Sequence, residues 1–220
     1  MDLQKLLRSL RVWDPEFTEL RSLEPGSVPD GPVELFGAWL SEAVAAGQVE
    51  AHTMSLATTD AEGLPDARIV MLHGADEEHG WAFASHSGSA KGQQLAAQPH
   101  AALVFYWPVH GRQVRVRGSV ATAPATEAQA DLHARSTGAL SSALTGHQSE
   151  PLGSLEELAE ASRAAWRRAE LEPTAAVPSW TLYHLRPDTV EFFQGDAQRR
   201  HIRLVYRREA EGWSRQLLWP

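Results

Sequence analysis

The sequence predicts a mainly β protein, an antiparallel barrel with flanking helices, and three observations carry that reading. Apolar residues recur at every second position in runs between Thr53 and Val120 and again from Trp180 to Leu218. Turn-forming clusters such as Asp60-Ala61-Glu62-Gly63 separate those runs at roughly even spacing. Helical spacing is confined to a few segments set among the strands, which suits helices covering the mouths of a barrel.

Taken in order, residues 1–30 contain Pro15, Pro25, Gly26 and Pro29 and read as an arm with at most a short helix, and 31–220 read as a single domain. Pro32 to Gly47 is the first strong helix, with Phe36, Leu40 and Val44 on one stripe, Asp30 able to cap and Gly47 able to stop it. Met54–Thr59 is a strand. Ala67–His73 and Trp81–Ser85 flank the turn Asp76–Gly80 and suggest a hairpin. Ala90–Gln98 reads as a helix ended by Pro99, and Ala101–Trp107 as an apolar strand closed by Pro108. Arg112–Val120 alternates, with Val114, Val116 and Val120 on one face and Gln113, Arg115 and Arg117 on the other. Helical stretches follow at about 125–136 and 154–171, the second with a stripe of Leu155, Leu158, Ser162, Ala165, Trp166 and Ala169. Strands return at Trp180–Leu185, Thr189–Gln194, Ile202–Arg207 and Trp213–Leu218. There is no internal repeat.

Composition excludes several classes. The 220 residues are 43% hydrophobic, a globular fraction, so a disordered scaffold is out. Cysteine is absent, which removes disulfides, Cys-based zinc sites, iron–sulfur clusters and thiol catalysis. A net charge of −8, from 20 Lys+Arg against 28 Asp+Glu, argues against a nucleic-acid partner, though not against a local site for a small anion. Charges at Lys5, Arg8 and Arg11 break the apolar residues of the start, and no apolar run reaches the ~18 residues of a membrane span. No membrane association and a cytoplasmic location are the default expectations.

Chemistry therefore has to come from non-sulfur groups. There is no G-x-S-x-G, H-E-x-x-H, P-loop or Rossmann glycine pattern. Ten His are not paired with carboxylates at ligand spacing, so no metal site is expected. Ser85-His-Ser-Gly-Ser-Ala-Lys-Gly92 leaves a strand and enters a helix through small residues. Such a turn offers backbone N–H groups, hydroxyls and Lys91 to a phosphate, or it is an ordinary Ser-rich turn with Ser89 as cap. Arg68 near a strand end either reaches water or forks onto a phosphate. The run Arg199-Arg200-His201-Ile202-Arg203 is either a solvated turn or an anion contact.

Arg68-Ile-Val-Met-Leu-His73, Gly88-Ser-Ala-Lys-Gly92, Phe105-Tyr-Trp-Pro108 and Gly111-Arg-Gln-Val-Arg-Val-Arg-Gly118 resemble the FMN-binding core of the pyridoxine/pyridoxamine 5′-phosphate oxidase family. Glu191-Phe-Phe-Gln-Gly195 through Arg203 resembles that family's C-terminal signature, so the likeness runs in order from about residue 30 to 220. It implies an FMN-binding split β-barrel, a homodimer with FMN at the subunit interface, and a small aromatic substrate oxidised with O2 as acceptor. Phenazine-biosynthesis flavin oxidases belong to the same group. By the resemblance Arg68, Lys91, Ser85 and Ser89 hold the FMN phosphate, and Gln113 and Arg203 face the flavin ring. Gln148 and Ser149 match a pair that reaches the flavin from the other subunit. Arg199 and His201 lie where substrate binds and are the expected catalytic residues. Arg135 matches an arginine that grips the substrate phosphate.

Departures cluster on the substrate side. The family's lysine is His73 here, and its substrate-phosphate tyrosine and serine fall at Asp131 and Ala139. Like charges ~4 Å apart repel by roughly 4 kcal/mol at an effective dielectric near 20, more than the ~1.5–3 kcal/mol of a charge-assisted hydrogen bond. The resemblance thus leaves three readings: the family oxidase, a same-fold flavin oxidase of a non-phosphorylated compound such as a phenazine precursor, or a non-catalytic flavin-binding protein.

Overall fold

A computed structural model describes residues 2–220. In chain order the elements are α1 (Leu3–Ser9), α2 (Pro32–Ala45), β1 (Thr53–Thr59), β2 (Pro65–Met71), β3 (Gly74–Asp76), β4 (Gly80–His86) and α3 (Ala90–Ala97). They continue with β5 (His100–Trp107), a 3-10 turn at Pro108–His110, β6 (Arg112–Thr122), α4 (Ala125–His133), α5 (Thr137–Thr145), α6 (Leu155–Leu171), β7 (Trp180–Gln194), β8 (Ile202–Arg208) and β9 (Trp213–Leu218). The strands follow the order β2-β1-β5-β6-β7-β4-β3, with β8 on β7 and β9 on β8. No helix among the described residues is long and apolar enough to cross a membrane.

The chain forms two compact units. The first comprises the residues up to Met54, Leu103–Val116 and Asp188–Pro220; the second comprises Ser55–Ala102 and Arg117–Pro187. Strands β1, β5, β6 and β7 each contribute residues to both.

Aromatic packing builds the first unit. Phe36 meets Phe105 edge-on at 4.8 Å, Trp39 meets Phe192 at 5.2 Å, and Phe192 meets Tyr206 at 5.7 Å. Beside them Arg112, 3% exposed, lies 4.2 Å over the Trp39 ring. Its guanidinium donates to Glu42 at 2.7 Å and to the Gln194 carbonyl at 2.9 Å, so the buried cation is paired on both sides. The stripe on α2 is Leu35, Phe36, Trp39 and Ala43, whereas Val44 is 59% exposed. The four-residue series through Phe36 drifted off the buried face because a helix turns in 3.6 residues. Pro at the first turn starts α2, its cap Gly31 makes no side-chain bond, and Asp30 pairs instead with Arg215.

The second unit joins β4, the first half of β7, α3, α4, α5 and α6. Strand β4 pairs antiparallel with β7 from Trp81↔Leu185 to His86↔Trp180. Leu132, Leu140, Ala143, Ala169 and Val177 form a core that ties α4, α5 and α6 together. Of the stripe expected on α6, Ala165 and Ala169 are buried, while Leu155, Leu158 and Trp166 are exposed. Helix α5, capped by Ser136, has no counterpart in the sequence reading, where Gly138 and two serines obscured its short apolar face.

Two strand readings are corrected. The hairpin partner of β4 is the three-residue β3, and β2 pairs with β1. Strand β7 runs unbroken through Pro187, where two strands were expected. Helix α3 starts sharply: Ser89 accepts from the Gly92 amide, and a Cβ on Gly92 would collide with the backbone oxygens of His86 and Ser87. Gly92→Ala is therefore expected to lower the unfolding free energy by about 1–3 kcal/mol, measured by denaturant titration.

Candidate active site

A cavity of about 1270 Å³ opens in the second unit. Its walls come from β2, the end of β4, the start of α3, α5 and the loop that follows it, and α6. Alternation on β2 turns Arg68 inward, and the sharp β4–α3 turn brings Ser85 and Lys91 to the same wall.

Lys91 is half-buried. Its ammonium donates to Ser85 Oγ at 2.9 Å, Ser89 Oγ at 3.3 Å and Gln148 Oε1 at 3.3 Å. All three are neutral oxygens, and no carboxylate among the described residues pairs with it. Burial, and then the Arg68 charge, hold its pKa below the usual lysine value, with Asp66 partly opposing. Arg68 is fixed more fully: it donates to Leu56 O at 3.1 Å, Thr58 Oγ1 at 2.6 Å, Asp66 at 2.5 Å and Gln94 Oε1 at 2.9 Å. The Gln94 amide and Arg68 keep the Asp66 carboxyl below its ordinary range. Burial and the Lys91 charge push the His86 imidazole down.

The loop after α5 closes this corner. Ser85 Oγ donates to Gln148 Oε1 at 2.9 Å, and the Ala90 amide, first of α3, donates to Ser149 Oγ at 3.2 Å. Gly146, His147 and Ser149 all have positive φ, a strained path for the two non-glycines. The resemblance assigned Gln148 and Ser149 to the other subunit's flavin; within one chain they line the same cavity as Ser85 and Lys91. Ser89 is fully buried and spent on the α3 cap and the His86 carbonyl.

His73 lines the cavity beyond Met71. Its Nδ1 lies 3.0 Å from both carboxylate oxygens of Asp131, and Arg135 reaches the same carboxylate at 3.3 and 3.4 Å. Burial raises the Asp131 pKa, but the hydrogen bonds from His73 and Arg135 outweigh it and bring the value to about 2. The carboxylate is ionised at neutral pH.

The remaining predicted residues belong to the first unit. Gln113 is half-buried on β6. Arg203 donates to Glu191 at 2.8 and 3.1 Å and to the Trp219 carbonyl at 3.0 Å, and Arg115 shares Glu191 at 3.3 Å. His201 Nδ1 accepts the Asp196 amide at 3.1 Å, which leaves Nε2 as the protonated nitrogen of the neutral ring. Its ring packs 5.2 Å from Trp13 and 5.2 Å from Phe193. Arg199 is exposed, with φ +63°.

Several residues of these clusters escaped the sequence reading: Asp66, Thr58, Gln94, Glu191 and Trp13. Two had a usable signal. Asp66 and Arg68 share a strand face at i, i+2, and Glu191 stands diagonal to Arg203 across β7–β8, where Phe193 is its direct partner. Trp13 reaches Phe193 from the arm, a contact with no local signature.

A half-buried cation in neutral oxygens at a helix start is the chemistry of a phosphate site on a mainly β scaffold. Residues 40–170 match the family model for pyridoxamine 5′-phosphate oxidase, and 180–220 match that for the pyridoxine 5′-phosphate oxidase C-terminal dimerisation region. The pyridoxine/pyridoxamine 5′-phosphate oxidase of Rubrobacter xylanophilus is 40% identical over 205 residues, covering 93% of this chain and 94% of that protein. The enzyme of that name from Pseudomonas fluorescens is 40% identical over 200 residues, covering 90% and 93%. Among solved structures, PhzG from Burkholderia lata in complex with tetrahydrophenazine-1-carboxylic acid is 26% identical with a TM-score of 0.84, covering 93% of this chain and all of that one. The chain belongs to the pyridoxine/pyridoxamine 5′-phosphate oxidase family, a family of FMN-dependent oxidases that use O2. Its fold is the mainly β, antiparallel split barrel with helices found in that family.

Lys91→Met is expected to weaken FMN binding about tenfold or more, the worth of one charge-assisted hydrogen bond, in a fluorescence titration. The same change is expected to leave the melting temperature of the flavin-free protein equal or higher, because it removes a buried charge. The depressed lysine pKa sets a sign with pH: below it the ammonium is present and binds phosphate, and above it the charge is lost. FMN affinity should therefore fall as pH rises, and should do so at a lower pH than free lysine would require.

Proposed function

We propose that this chain is an FMN-dependent oxidase that removes a hydride from the carbon bearing the amine or alcohol of a small heteroaromatic donor of the pyridoxamine or pyridoxine 5′-phosphate type. One observation carries the proposal: Lys91, half-buried and bonded to neutral oxygens only, with Arg68 beside it and the α3 N-terminus at the same wall. That arrangement fits the phosphate of a flavin mononucleotide. Arg68, Ser85, Lys91, Gln148 and Ser149 would hold it, with Ser89 acting through the helix cap. The cofactor supplies the two-electron chemistry, hydride acceptance at N5 and reoxidation by O2 with release of H2O2.

The chain's own groups bind and orient. Gln113 and Arg203 are assigned to the flavin ring, and Glu191 fixes the Arg203 guanidinium. Arg199 and His201 are assigned to the donor, and the Nε2–H of His201 is free to donate a hydrogen bond that orients it. The subunits pair through the 180–220 region, and the flavin lies at the subunit interface of the homodimer. The protein works in the cytoplasm.

A second reading, oxidation of a donor that carries no phosphate, is favoured by the Asp131 carboxylate placed against His73 and Arg135. The test of the common proposal is a purified sample that carries a flavin absorbance spectrum and consumes O2 with pyridoxamine or pyridoxine 5′-phosphate, or with their dephosphorylated forms. His201→Asn is expected to lower kcat by about 10²-fold, the cost of a donor held off its reactive geometry, with the flavin spectrum retained. A protein that binds no FMN, or binds it and never transfers electrons from any of these donors, would sink the reading.

A further inference from the structure

Helix α3 carries Lys91 and, one turn further on, Gln94, whose carboxamide is used at both ends. Its Oε1 accepts from the Thr58 hydroxyl of β1 at 2.5 Å and from Arg68 Nη2 of β2 at 2.9 Å. Its Nε2 donates to the Asp66 carboxylate of β2 at 3.3 Å. Arg68 closes the network: Nη1 donates to Leu56 O and Thr58 Oγ1, and Nη2 to Asp66 as well as to Gln94. A guanidinium has five N–H groups. Two on Nη1 and two on Nη2 are thus spent, and Nε–H is the one left without a partner among the described residues. Arg68 lines the cavity beside Lys91 with its guanidinium already fixed, so an incoming anion meets its charge at a set place.

Position 94 needs an amide for this. The oxygen faces a cation and a hydroxyl, while the N–H faces a carboxylate. A carboxylate at 94 would stand against Asp66 as a like charge, and an aliphatic side chain would leave the Thr58 hydroxyl and a guanidinium N–H without their acceptor. Resting on the FMN-oxidase reading above, we infer that Gln94 is a positioning residue for the cofactor phosphate: it holds the Arg68 guanidinium in the wall that Lys91 shares, so that both charges meet one anion. The plain alternative is a tether that only fastens α3 to the sheet. A tether changes the binding of any flavin alike; a residue acting through Arg68 changes what the phosphate adds.

The probes are FMN and riboflavin, which share ring and ribityl chain and differ in the phosphate. Fluorescence titration of the flavin-stripped full chain gives both dissociation constants for wild type, Gln94→Met and Gln94→Glu, and thermal melts show which variants fold. Both variants are expected to bind FMN about tenfold more weakly, the worth of a hydrogen bond to a charged group, and riboflavin within about twofold of wild type. In an Arg68→Met background, Gln94→Met is expected to cost FMN less than about twofold, because the group it positions is gone. Wild-type FMN affinity in either folded variant overturns the inference. So does an equal loss for the two flavins, or a loss for Gln94→Met that is the same with and without Arg68. Failure of both variants to fold marks the tether and overturns it too. A wild type that binds FMN no better than riboflavin overturns the phosphate-site reading itself, and the inference with it.

Discussion

A half-buried ammonium with no carboxylate partner among the described residues is the constraint around which the second unit is arranged. Desolvation makes Lys91 costly, and three neutral oxygens only partly replace its water. Holding those oxygens in place requires the sharp exit from β4, the Ser89 cap, a glycine at position 92 and a strained loop at His147–Ser149. Each is unfavourable or restrictive alone. Together they make sense as preorganisation for an anion, which on binding restores the lost solvation of the charge.

The rest of the molecule shows how unusual that arrangement is. Arg68, Arg112, Arg135 and Arg203 are also withdrawn from solvent, and each has a carboxylate partner. Arg112 with Glu42 is a structural pair inside an aromatic core. Arg203 and Arg115 share Glu191, which aims both guanidinium groups. A chain with a net charge of −8 thus still holds one half-buried cation without a carboxylate partner among the described residues. Net charge argued against a polyanion partner and was silent about this site, because the site depends on which pairs form.

Period-two alternation located nearly every strand, because side chains on a pleated strand must face alternately and Val114, Val116 and the residues between them obey that rule. Pairing was less legible. That β2 joins β1 while the short β3 takes β4 depends on where the chain turns at His73, and His73 gives its amide to Ala82 O rather than continuing the strand. On α6 the sequence stripe mixed two faces: the small residues Ala165 and Ala169 go inward and the large ones outward. Ser85 and Lys91 meet through the local β4–α3 turn, whereas Gln148, expected to act from the other subunit, reaches them within one chain from 57 residues away. The partners that set their charge state, Asp66 and Gln94 for Arg68 and Glu191 for Arg203, come from tertiary contacts that no single motif contains.

Two cation sites of the second unit answer one physical question in opposite ways. At Lys91 the protein tolerates an unpaired cation and so favours an incoming anion; at Arg135 it has supplied the anion itself. Like charges repel, and an ionised Asp131 with a pKa near 2 stays ionised across the physiological range, so solvent conditions do not erase the contrast. The Lys91 corner, left without a carboxylate partner among the described residues, suits an incoming phosphate. At Asp131 both cations are already neutralised, so the contrast between the two sites follows from which pairs form and not from how many charges the chain carries.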